Sequence, residues 1–427
     1  MNRLCTWLLA LACFFGLAST AFAEGYALYE YSARGLALGG ATMARKPDPS
    51  AIAYNPALIA RLPGVHLMAG ASAIMPSGKM DYVDNGVPGT TTLKPGTWVV
   101  PHLYYTHQLS DSFTLGVGEF SRYGLGFEYP NHWPGRFNIY RVDLASISVN
   151  PVIAWAVTED FSLAAGIEFV YVNLDLQKRV GIETGFGLAE IDSNIQNASD
   201  TSVGFNLAAH YQLCDELALG FQYRSRVRVH AYGDVEFSYL SGPSLPGIEA
   251  AVMSNFRNGG ADSVVTLPDS FAGGIAFMPI PELSIEAGAI YTRWSSFKEL
   301  NINLPAPLPN SVSDRSWKDV WRFNVGVEYE PLDWLALRAG YVYDESPMPG
   351  SKEDYLVPTD GRHIFSLGTG FKYEDWTLDL AYAYIKPLDR KYQLDPRPTE
   401  QGGSHVVHSR TRDSDTNIFS FSLGYKF

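Results

Sequence analysis

The sequence predicts an all-β fold, a 14-stranded antiparallel transmembrane β-barrel with an N-terminal hatch, or plug, inside its lumen. Apolar residues alternate with small or polar residues along most of the chain from residue 65 onward, which is the pattern of strands with two different faces. Short and long connections alternate between these strands, as the turns and loops at the two rims of a membrane barrel do. A secretory leader precedes them.

Residues 1–23 are predicted to be a cleaved signal peptide. Arg3 supplies the positive charge, "LLALACFFGLA" the apolar core, and Ala21-Phe22-Ala23 the cleavage site. A membrane-anchoring helix is the weaker alternative, because small residues and a cleavage motif end the apolar run. No later segment approaches the ~18 apolar residues of a membrane helix. The chain is therefore expected to be exported without a helical anchor.

Fourteen strands are predicted, an even number, as in bacterial single-chain barrels. They are 66–76, 97–107, 112–121, 141–157, 161–178, 201–213, 217–239, 263–278, 282–299, 317–330, 334–345, 362–373, 376–388 and 415–427. The long connections are predicted near 77–96, 122–140, 179–200, 240–262, 300–316, 346–361 and 389–414. Because lipid offers no partner to backbone polar groups, a sheet with an apolar outer face must close on itself.

The last strand has one apolar face. Phe427, Tyr425 and Leu423 alternate with Lys426 and Gly424, so the first three should face lipid. We expect Phe427 to serve also as the signal that the barrel-assembly machinery recognises. The folded protein is expected to be a monomer in contact with outer-membrane lipid and lipopolysaccharide.

Residues 24–64 form a separate region before the barrel domain, which spans 65–427. They are rich in small residues and proline and lack alternation. A 14-stranded barrel has a lumen that side chains alone do not fill, so this region is predicted to be the hatch. A disordered periplasmic tail is the alternative, which Leu36, Leu38 and Ile52 disfavour.

Several motifs of the chain resemble those of one family. The hatch stretch "GLALGGA…SAIAYNPALIARLPG" contains Asn55-Pro56-Ala57. Further matches are "RYGLGFEYPNHWPGRF", "TLPDSFAGGIAFMP" and "WKDVWRFNVGVEY" with "LRAGYVYDESPMP". In this order they resemble the FadL-type outer-membrane transporters of long-chain fatty acids and other hydrophobic compounds, and the resemblance spans the mature chain.

The resemblance implies passive uptake across the bacterial outer membrane, by external capture, hatch rearrangement and lateral exit through the barrel wall. Long-chain fatty acids are the expected cargo, and aromatic hydrocarbons or other apolar solutes are the alternative. A general water-filled porin is a second alternative, which the hatch disfavours. An outer-membrane lipase is a third, although no nucleophile motif supports it. We expect neither an enzyme nor a cofactor.

Basic residues are the candidate contacts for a ligand head group. Alternation along 217–239 points Arg224, Arg226 and Arg228 into the lumen, followed by His230, and an arginine row there could guide a carboxylate. The alternative is that inward acids such as Glu168 neutralise this row.

A second pair of basic residues is expected further along the chain. Lys318 and Arg322 are predicted to point inward from 317–330, and Lys318 lies within the family match. They are the favoured head-group contacts, and pairing with neighbouring acids is the alternative. Lys178 and Arg179 are weaker candidates for the same role.

Two features of the third strand suggest how a ligand passes. Gly116 and Gly118 are inward glycines that permit a bend, and in the resembled family this strand carries the lateral opening. Making room for the hatch is the alternative role. The loop that follows is predicted to form an external capture groove from exposed apolar side chains, or else to be packed internally. Its members are Tyr123, Leu125, Phe127, Tyr129, Trp133 and Phe137.

Charge and composition exclude other classes of partner. The formal net charge of −13 and the lack of a basic tract argue against nucleic acid. "HVVH" at 405–408 lacks a third metal ligand at suitable spacing, so no metal site is predicted.

Overall fold

The computed structural model describes residues 25–84, 86–350, 354–357, 360–392 and 406–427. The predicted signal peptide and His405 lie outside the described residues. No helix within these ranges is both long enough and apolar enough to cross a membrane.

The described residues contain 21 strand segments in one sheet. They are β1 (Val65–Asp84), β2 (Val87–Thr92), β3 (Trp98–Gln108), β4 (Phe113–Phe120), β5 (Gly124–Glu128), β6 (Arg141–Ala156), β7 (Phe161–Glu183), β8 (Leu188–Cys214), β9 (Leu217–Arg224), β10 (Val227–Ser241), β11 (Gly259–Leu267), β12 (Ser270–Ile280), β13 (Leu283–Thr292), β14 (Glu299–Asn303), β15 (Ser311–Asp314), β16 (Val320–Leu332), β17 (Leu335–Asp344), β18 (Arg362–Tyr373), β19 (Trp376–Pro387), β20 (Lys391–Tyr392) and β21 (Val406–Lys426). Short helices are Ala33–Ala37, Ala51–Tyr54 and Ile248–Met253, with 3-10 turns at Pro56–Arg61, Pro134–Phe137 and Trp294–Ser296.

The segments form a closed barrel of 14 antiparallel strands, as predicted. Nine strands are single segments, and five consist of two segments with a break between them (β4–β5, β9–β10, β11–β12, β13–β14 and β15–β16). Pairing of β1 with both β3 and β21 closes the ring. β2 and β20 add to the external parts of β1 and β21.

Two details of the strand prediction are wrong. The long connections predicted at 77–96 and 179–200 are mostly strand, because β1 and β2 stay paired out to Asp84 and Val87, and β7 and β8 out to Glu183 and Leu188. The predicted strands 217–239, 263–278 and 282–299 are each broken part-way. The second break falls at Pro268, which has no backbone N–H to donate to the ladder.

The outer face of the wall is apolar, as the alternation predicted. On β21 the side chains of Phe419, Phe421 and Leu423 are 53%, 50% and 44% exposed, whereas Ser420 and Ser422 are buried. Exposed aromatic and aliphatic residues repeat at every second position of the neighbouring strands. The exposed stripe is therefore the lipid-facing surface.

Residues 25–64 pack against the inner face of this wall. Ile52, Ala57 and Ile59 have no exposed surface. The backbone approaches so closely that a Cβ at Gly220 of β9 would overlap the Met43 carbonyl oxygen. Glycine at that position therefore lets hatch and wall meet without a side chain between them.

Buried ion pairs fix the hatch to two wall strands. Arg34 binds Glu328 of β16 through two bonds of 2.8 and 2.7 Å, and Arg338 of β17 donates to the same carboxylate at 2.6 Å. Glu286 of β13 accepts the Met43 N–H at 2.6 Å and lies 3.5 Å from Arg45. Breaking such a buried pair typically costs about 3–5 kcal/mol, so these contacts hold the middle of the hatch in place.

Deletion of residues 25–64 should convert the barrel into a water-filled pore. The strands pair with one another and remain closed, whereas the lumen loses the side chains that occupy it. Entry of arabinose into liposomes should become several-fold faster than with the full chain. Unchanged permeability of a correctly folded deletion variant, judged by heat-modifiable electrophoretic mobility, would contradict this.

Candidate ligand path through the barrel

An apolar cavity, here called the outer cavity, lies at the external end of the lumen. Its lining side chains come from five or more strands and are mostly aliphatic, including Leu144, Leu174, Ile195, Val229, Val265 and Leu300. About 860 Å³ of space not filled by atoms lies between them, part of it open to the outside. The apolar character of this lining is typical of small-molecule sites.

Two basic groups, Lys178 and Arg315, lie near residues that line the outer cavity. Lys178 follows Leu176 in the inward row of β7, beyond the lipid-facing part of that strand, and donates to the Ser311 hydroxyl at 3.4 Å. Burial lowers the pKa of Lys178, and the nearby Arg315 lowers it further. Burial also lowers the pKa of Arg315 to about 10, and this residue pairs with Asp354.

The floor of the outer cavity is the first described turn of the hatch. Tyr26 lines the cavity, and its ring lies 4.7 Å from Trp294 and 5.7 Å from Trp317, measured between centroids. Gly25 has φ +51 and faces the same two indoles. This aromatic packing positions the start of the hatch across the lumen.

A second cavity, here called the inner cavity, lies on the other side of that turn. It is lined by Tyr29, Tyr31 and Tyr54 of the hatch, and by Arg122 and Arg224 of the wall, among others. Residues 26–29 thus separate the two cavities, since Tyr26 faces the outer one and Ala27 and Tyr29 face the inner one.

The wall is interrupted beside the inner cavity. Pairing of β3 with the third strand ends at Leu103 and Glu119, and β5 pairs with β6. Among the described residues, 98–102 of β3 have no strand partner on that side. Between β4 and β5 the chain leaves the sheet at residues 121–123.

The hatch supplies a partner at this interruption. Ala27 forms an isolated antiparallel bridge with Tyr123. The Leu28 N–H donates to the Arg122 carbonyl at 2.8 Å, and the Gly124 N–H donates to the Tyr26 carbonyl at 3.0 Å. The first described hatch residues therefore form hydrogen bonds with backbone groups of residues 122–124, which β3 does not pair with.

Gly116 and Gly118 lie just before this interruption, in a part of β4 that is paired on both sides. A Cβ at Gly116 would meet Ile52 and Ile59 of the hatch, and one at Gly118 would meet Ile52 and Tyr104. The two glycines make room for hatch side chains, and the chain leaves the sheet at residues 121–123, after Gly118.

The hatch motif Asn55-Pro56-Ala57 has a structural role. Asn55 caps the 3-10 turn by accepting the Ala57 N–H at 3.1 Å, and Pro56 follows as its first residue. The Asn55 amide donates to Met43 within the hatch at 2.6 Å and to Ala209 of the wall at 3.1 Å. The motif therefore joins two hatch segments to β8.

Of the predicted arginine row, the structure brings Arg224 into the lumen. It donates to Glu168 at 2.9 Å and to the carbonyls of Ile52 and Ala53 at 3.1 and 2.9 Å. Pairing with Glu168 is the alternative that the sequence left open. Arg224 thus ties a hatch helix to the wall.

The inward orientation predicted for Arg226 and Arg228 is wrong. The break after Arg224 shifts the alternation, so that Val227 and Val229 are buried while Arg228 is exposed. The Arg226 side chain is 50% exposed and pairs with Asp269 at 3.0 Å. Both arginines lie on the outer surface.

Arg322 and Lys318 are placed differently from each other. Arg322 is buried, pairs with Asp344 at 3.2 Å and lies 4.3 Å above the Tyr29 ring. Lys318 lies just before β16, where its backbone N–H donates to Pro347 and the charge of Glu345 acts on its side chain. The structure does not bring the two residues together at one cavity.

The exposure predicted for the loop after strand three is wrong. Five of its six nominated residues are at most 5% exposed, and Leu125 lines the outer cavity. The buried five pack on one another and on their surroundings, for example Tyr129 on Trp133 at 4.6 Å and Trp133 on Tyr355 at 4.9 Å. This is the internally packed alternative. The five are Tyr123, Phe127, Tyr129, Trp133 and Phe137.

Sequence reasoning missed several residues of the path. Tyr26, Tyr29 and Arg122 were not nominated, although Tyr26 and Tyr29 lie within the predicted hatch and Arg122 directly precedes the aromatic loop. The signal that could have found Arg122 is the loss of alternation at Ser121-Arg122-Tyr123, which marks where the strand leaves the sheet. Among the described residues, no group of three or more His, Cys, Asp or Glu side chains is arranged to hold a metal ion.

A closed barrel with an even number of strands, an apolar outer belt and a filled lumen defines a bacterial outer-membrane protein. A sequence profile described as "Outer membrane protein transport protein (OMPP1/FadL/TodX)" matches residues 15–427. The chain therefore belongs to this family, which confirms the predicted family and the predicted outer-membrane location.

Individual relatives match over nearly their whole length. The chain is 25% identical to a long-chain fatty acid transport protein of Escherichia coli, over 98% of each chain. It is 26% identical to outer membrane protein P1 of Haemophilus influenzae, over 96% of each chain. The solved structure of a Pseudomonas aeruginosa FadL homologue matches with a TM-score of 0.84 at 20% identity, covering 95% of this chain and 100% of that one. The Pseudomonas putida toluene transporter TodX matches with a TM-score of 0.72 at 18% identity, covering 94% and 99%.

Filling the outer cavity should abolish its capacity to bind apolar molecules. Ala231 lines the cavity, so Ala231→Trp would place an indole in the space. Binding of the apolar fluorescent probe N-phenyl-1-naphthylamine should weaken by about tenfold or more, equivalent to about 1.4 kcal/mol. Ala165→Trp, on the exposed outer face of β7, is the matched control. Equal binding by both variants would mean that the probe binds elsewhere.

Proposed function

We propose that the protein carries hydrophobic molecules passively across the outer membrane, with long-chain fatty acids as its main cargo. The observation that carries this proposal is the apolar outer cavity at the external end of a barrel whose lumen the hatch occupies. The capture site is this cavity rather than the surface of the loop after strand three. An aliphatic chain gains about 0.8 kcal/mol for each CH₂ buried, so the cavity favours long-chain ligands.

The basic groups near the outer cavity favour a ligand that has an acidic head group. Lys178 and Arg315 are the basic groups near the outer cavity that could contact the carboxylate of a ligand whose chain fills it. Carboxylates act on Lys318 and Arg322, as Asp354 does on Arg315, so Lys178 is the favoured head-group contact. The Escherichia coli relative, named a long-chain fatty acid transport protein, supports the same cargo.

The first hatch residues are the proposed gate. Residues 26–29 separate the outer and inner cavities and bridge the wall at residues 122–124. Their displacement would join the cavities and free the interruption between β3 and β5. A ligand could then leave sideways into the membrane, which spares its apolar chain from rehydration. Gly116 and Gly118 would support this opening by allowing the hatch to lie against β4.

Aromatic hydrocarbons are the second candidate cargo. The lining of the outer cavity is almost wholly apolar, with Asp262 and Ser263 as its polar members among the described residues, so a neutral ligand needs no head-group contact there. The solved toluene transporter TodX shares the fold.

Exposed residues of the outer surface are the proposed contacts with the membrane. Arg226 and Arg228 are exposed and are the proposed contacts for lipopolysaccharide phosphates. Phe427 is 70% exposed and is the proposed contact for the assembly machinery. We propose that the protein works as a monomer, since both cavities and the interruption of the wall lie within one barrel.

Uptake by proteoliposomes tests the proposed function. Vesicles with the full chain should take up oleate faster than empty vesicles, and should exclude arabinose. Toluene uptake in the same vesicles decides between the two cargos. Arabinose entry without selective uptake of either hydrophobic molecule would contradict the transporter and support a porin.

A disulfide between the hatch and the wall should stop transport. Ala27 and Tyr123 form a pair of the narrow, non-hydrogen-bonded kind, whose Cα separation of about 4.5 Å suits a disulfide. Ala27→Cys with Tyr123→Cys, in a Cys214→Ser background, should lose most oleate uptake when oxidised and regain it with a reductant. Each single-cysteine variant is the control. Full uptake by the oxidised pair would show that residues 26–29 need not move.

A further inference from the structure

We propose that the outer surface of the barrel carries a binding site for a phosphate group of lipid A, the membrane anchor of lipopolysaccharide. The site, here called the arginine patch, consists of Arg226, Arg228 and Arg293. Asp269 is the carboxylate that positions two of them. This inference rests on the lipopolysaccharide contact proposed above and does not depend on the ligand path through the lumen.

A row of aromatic side chains lies on the lipid-facing surface below the arginine patch. Tyr223, Phe271, Tyr291 and Trp321 are paired in register across β9, β12, β13 and β16, near the external end of each strand. The ring centroids of Tyr223 and Phe271 are 4.9 Å apart, and those of Tyr291 and Trp321 are 4.8 Å apart. Aromatic side chains of membrane proteins concentrate at the boundary between hydrocarbon and head groups. The row therefore marks the level at which the head groups of the outer leaflet begin.

The backbone of three neighbouring strands breaks just above this row. The last paired rung joins Arg224, Ser270 and Thr292, and the breaks β9–β10, β11–β12 and β13–β14 follow directly outward. Arg226 lies in the first break and Arg293 in the third. Because the first break shifts the alternation, Arg226 faces outward although Arg224 faces the lumen. The breaks thus gather charged side chains on the outer surface at one level.

One buried carboxylate holds two guanidinium groups side by side. Asp269, in the second break, accepts from Arg226 Nη2 at 3.0 Å and from Arg293 Nη1 at 3.1 Å, one through each oxygen. Its side chain is 2% exposed, whereas those of the two arginines are 50% and 43% exposed. Among the described residues, Asp269 is the one hydrogen-bond partner of each arginine side chain, so further N–H groups face outward. Adjacent guanidinium groups with free donors bind phosphate through several charge-assisted hydrogen bonds.

Arg228 extends the arginine patch outward along β10. Its side chain is exposed and has no hydrogen-bond partner within the described part of the chain. Neighbouring carboxylates are already engaged. Asp200 accepts the backbone N–H of His230 at 2.8 Å, Asp262 lies 3.0 Å from the ring of the same histidine, and Asp319 accepts a tyrosine hydroxyl at 3.0 Å. The exposed guanidinium groups of the patch therefore remain for an external anion.

The position of the arginine patch selects the kind of anion. A soluble phosphate would contact the arginines alone, whereas a phosphorylated lipid would also lay its acyl chains along the apolar strands below. Phe221 and Ile275 offer that surface, since they are 47% and 41% exposed, and the aromatic row lies between them and the patch. Lipid A carries its phosphates at the head-group level of the outer leaflet. Its chemistry thus matches both parts of the surface.

Native mass spectrometry of the delipidated barrel tests the site. The probes are bisphosphorylated lipid A, the same lipid without its phosphates, and phosphatidylglycerol. The wild type should bind the first probe at least about tenfold more tightly than either of the others, because it alone combines a phosphate monoester with the acyl chains of lipid A. Inorganic phosphate in excess should not displace it.

Arg226→Gln with Arg293→Gln should weaken binding of bisphosphorylated lipid A by about tenfold or more, as expected for loss of charge-assisted contacts. Arg228→Gln should weaken it less. Because the double variant leaves the buried carboxylate unpaired, a triple variant that adds Asp269→Asn is the second test and should bind equally weakly. Arg410→Gln is the matched control and should bind as the wild type does, since Arg410 is an exposed external arginine in one ion pair. Heat-modifiable mobility establishes that each variant is folded.

Oleate uptake by the same variants should be unchanged, because none of the substituted residues lines either cavity. Equal binding of lipid A with and without phosphate, equal binding of phosphatidylglycerol, displacement by inorganic phosphate, or wild-type binding by the folded triple variant would each overturn the site and leave the transport proposal intact. Failure of the wild type to take up oleate would instead overturn transport and leave the lipid A result standing.

Discussion

The requirement that every backbone N–H and C=O in lipid find a partner within the protein governs this structure. It closes the sheet into a ring, since β1 pairs with both β3 and β21. A ring of 14 strands then has a lumen that its own side chains do not fill. The hatch occupies that lumen, and where residues 121–123 leave the sheet, Ala27 of the hatch bridges to the wall.

Electrostatics inside the barrel follow from the same constraint. Charged groups that leave water need partners, and the lumen provides them as shared carboxylates: Glu328 serves Arg34 and Arg338, and Glu168 serves Arg122 and Arg224. The first arrangement is completed by Asp379, which binds Arg338 at 2.6 Å. Within the described ranges no second carboxylate pairs with Arg122 or Arg224, so the second arrangement retains a positive charge beside a cavity. The two clusters therefore share one design, in which two arginines use one carboxylate, and differ in net charge.

The sequence was enough to predict the barrel, its number of strands and the side of the wall on which most residues lie. Lipid on one face requires apolar residues at every second position over long stretches, and this alternation is visible in the sequence. The prediction failed where the alternation is interrupted. Arg226 and Arg228 were assigned to the lumen by extending the phase of Phe221 across a break that composition does not mark. The aromatic loop was expected to be exposed, because a sequence cannot tell whether rings such as Trp133 and Tyr129 pack on one another or face water. Arg122 was overlooked because its role depends on a cavity formed by distant segments.

The buried anchors of the hatch limit how the protein can operate. Arg34 and Arg45 bind Glu328 and Glu286, on two different wall strands, with little exposure to solvent. Withdrawal of the whole hatch would strand charges in a low-dielectric interior, at a cost comparable with a large part of a domain's stability. Motion confined to residues 26–29 incurs no such cost. Under the proposed function, a gate of this small size would admit hydrophobic nutrients while the rest of the hatch still blocks water-soluble compounds such as antibiotics.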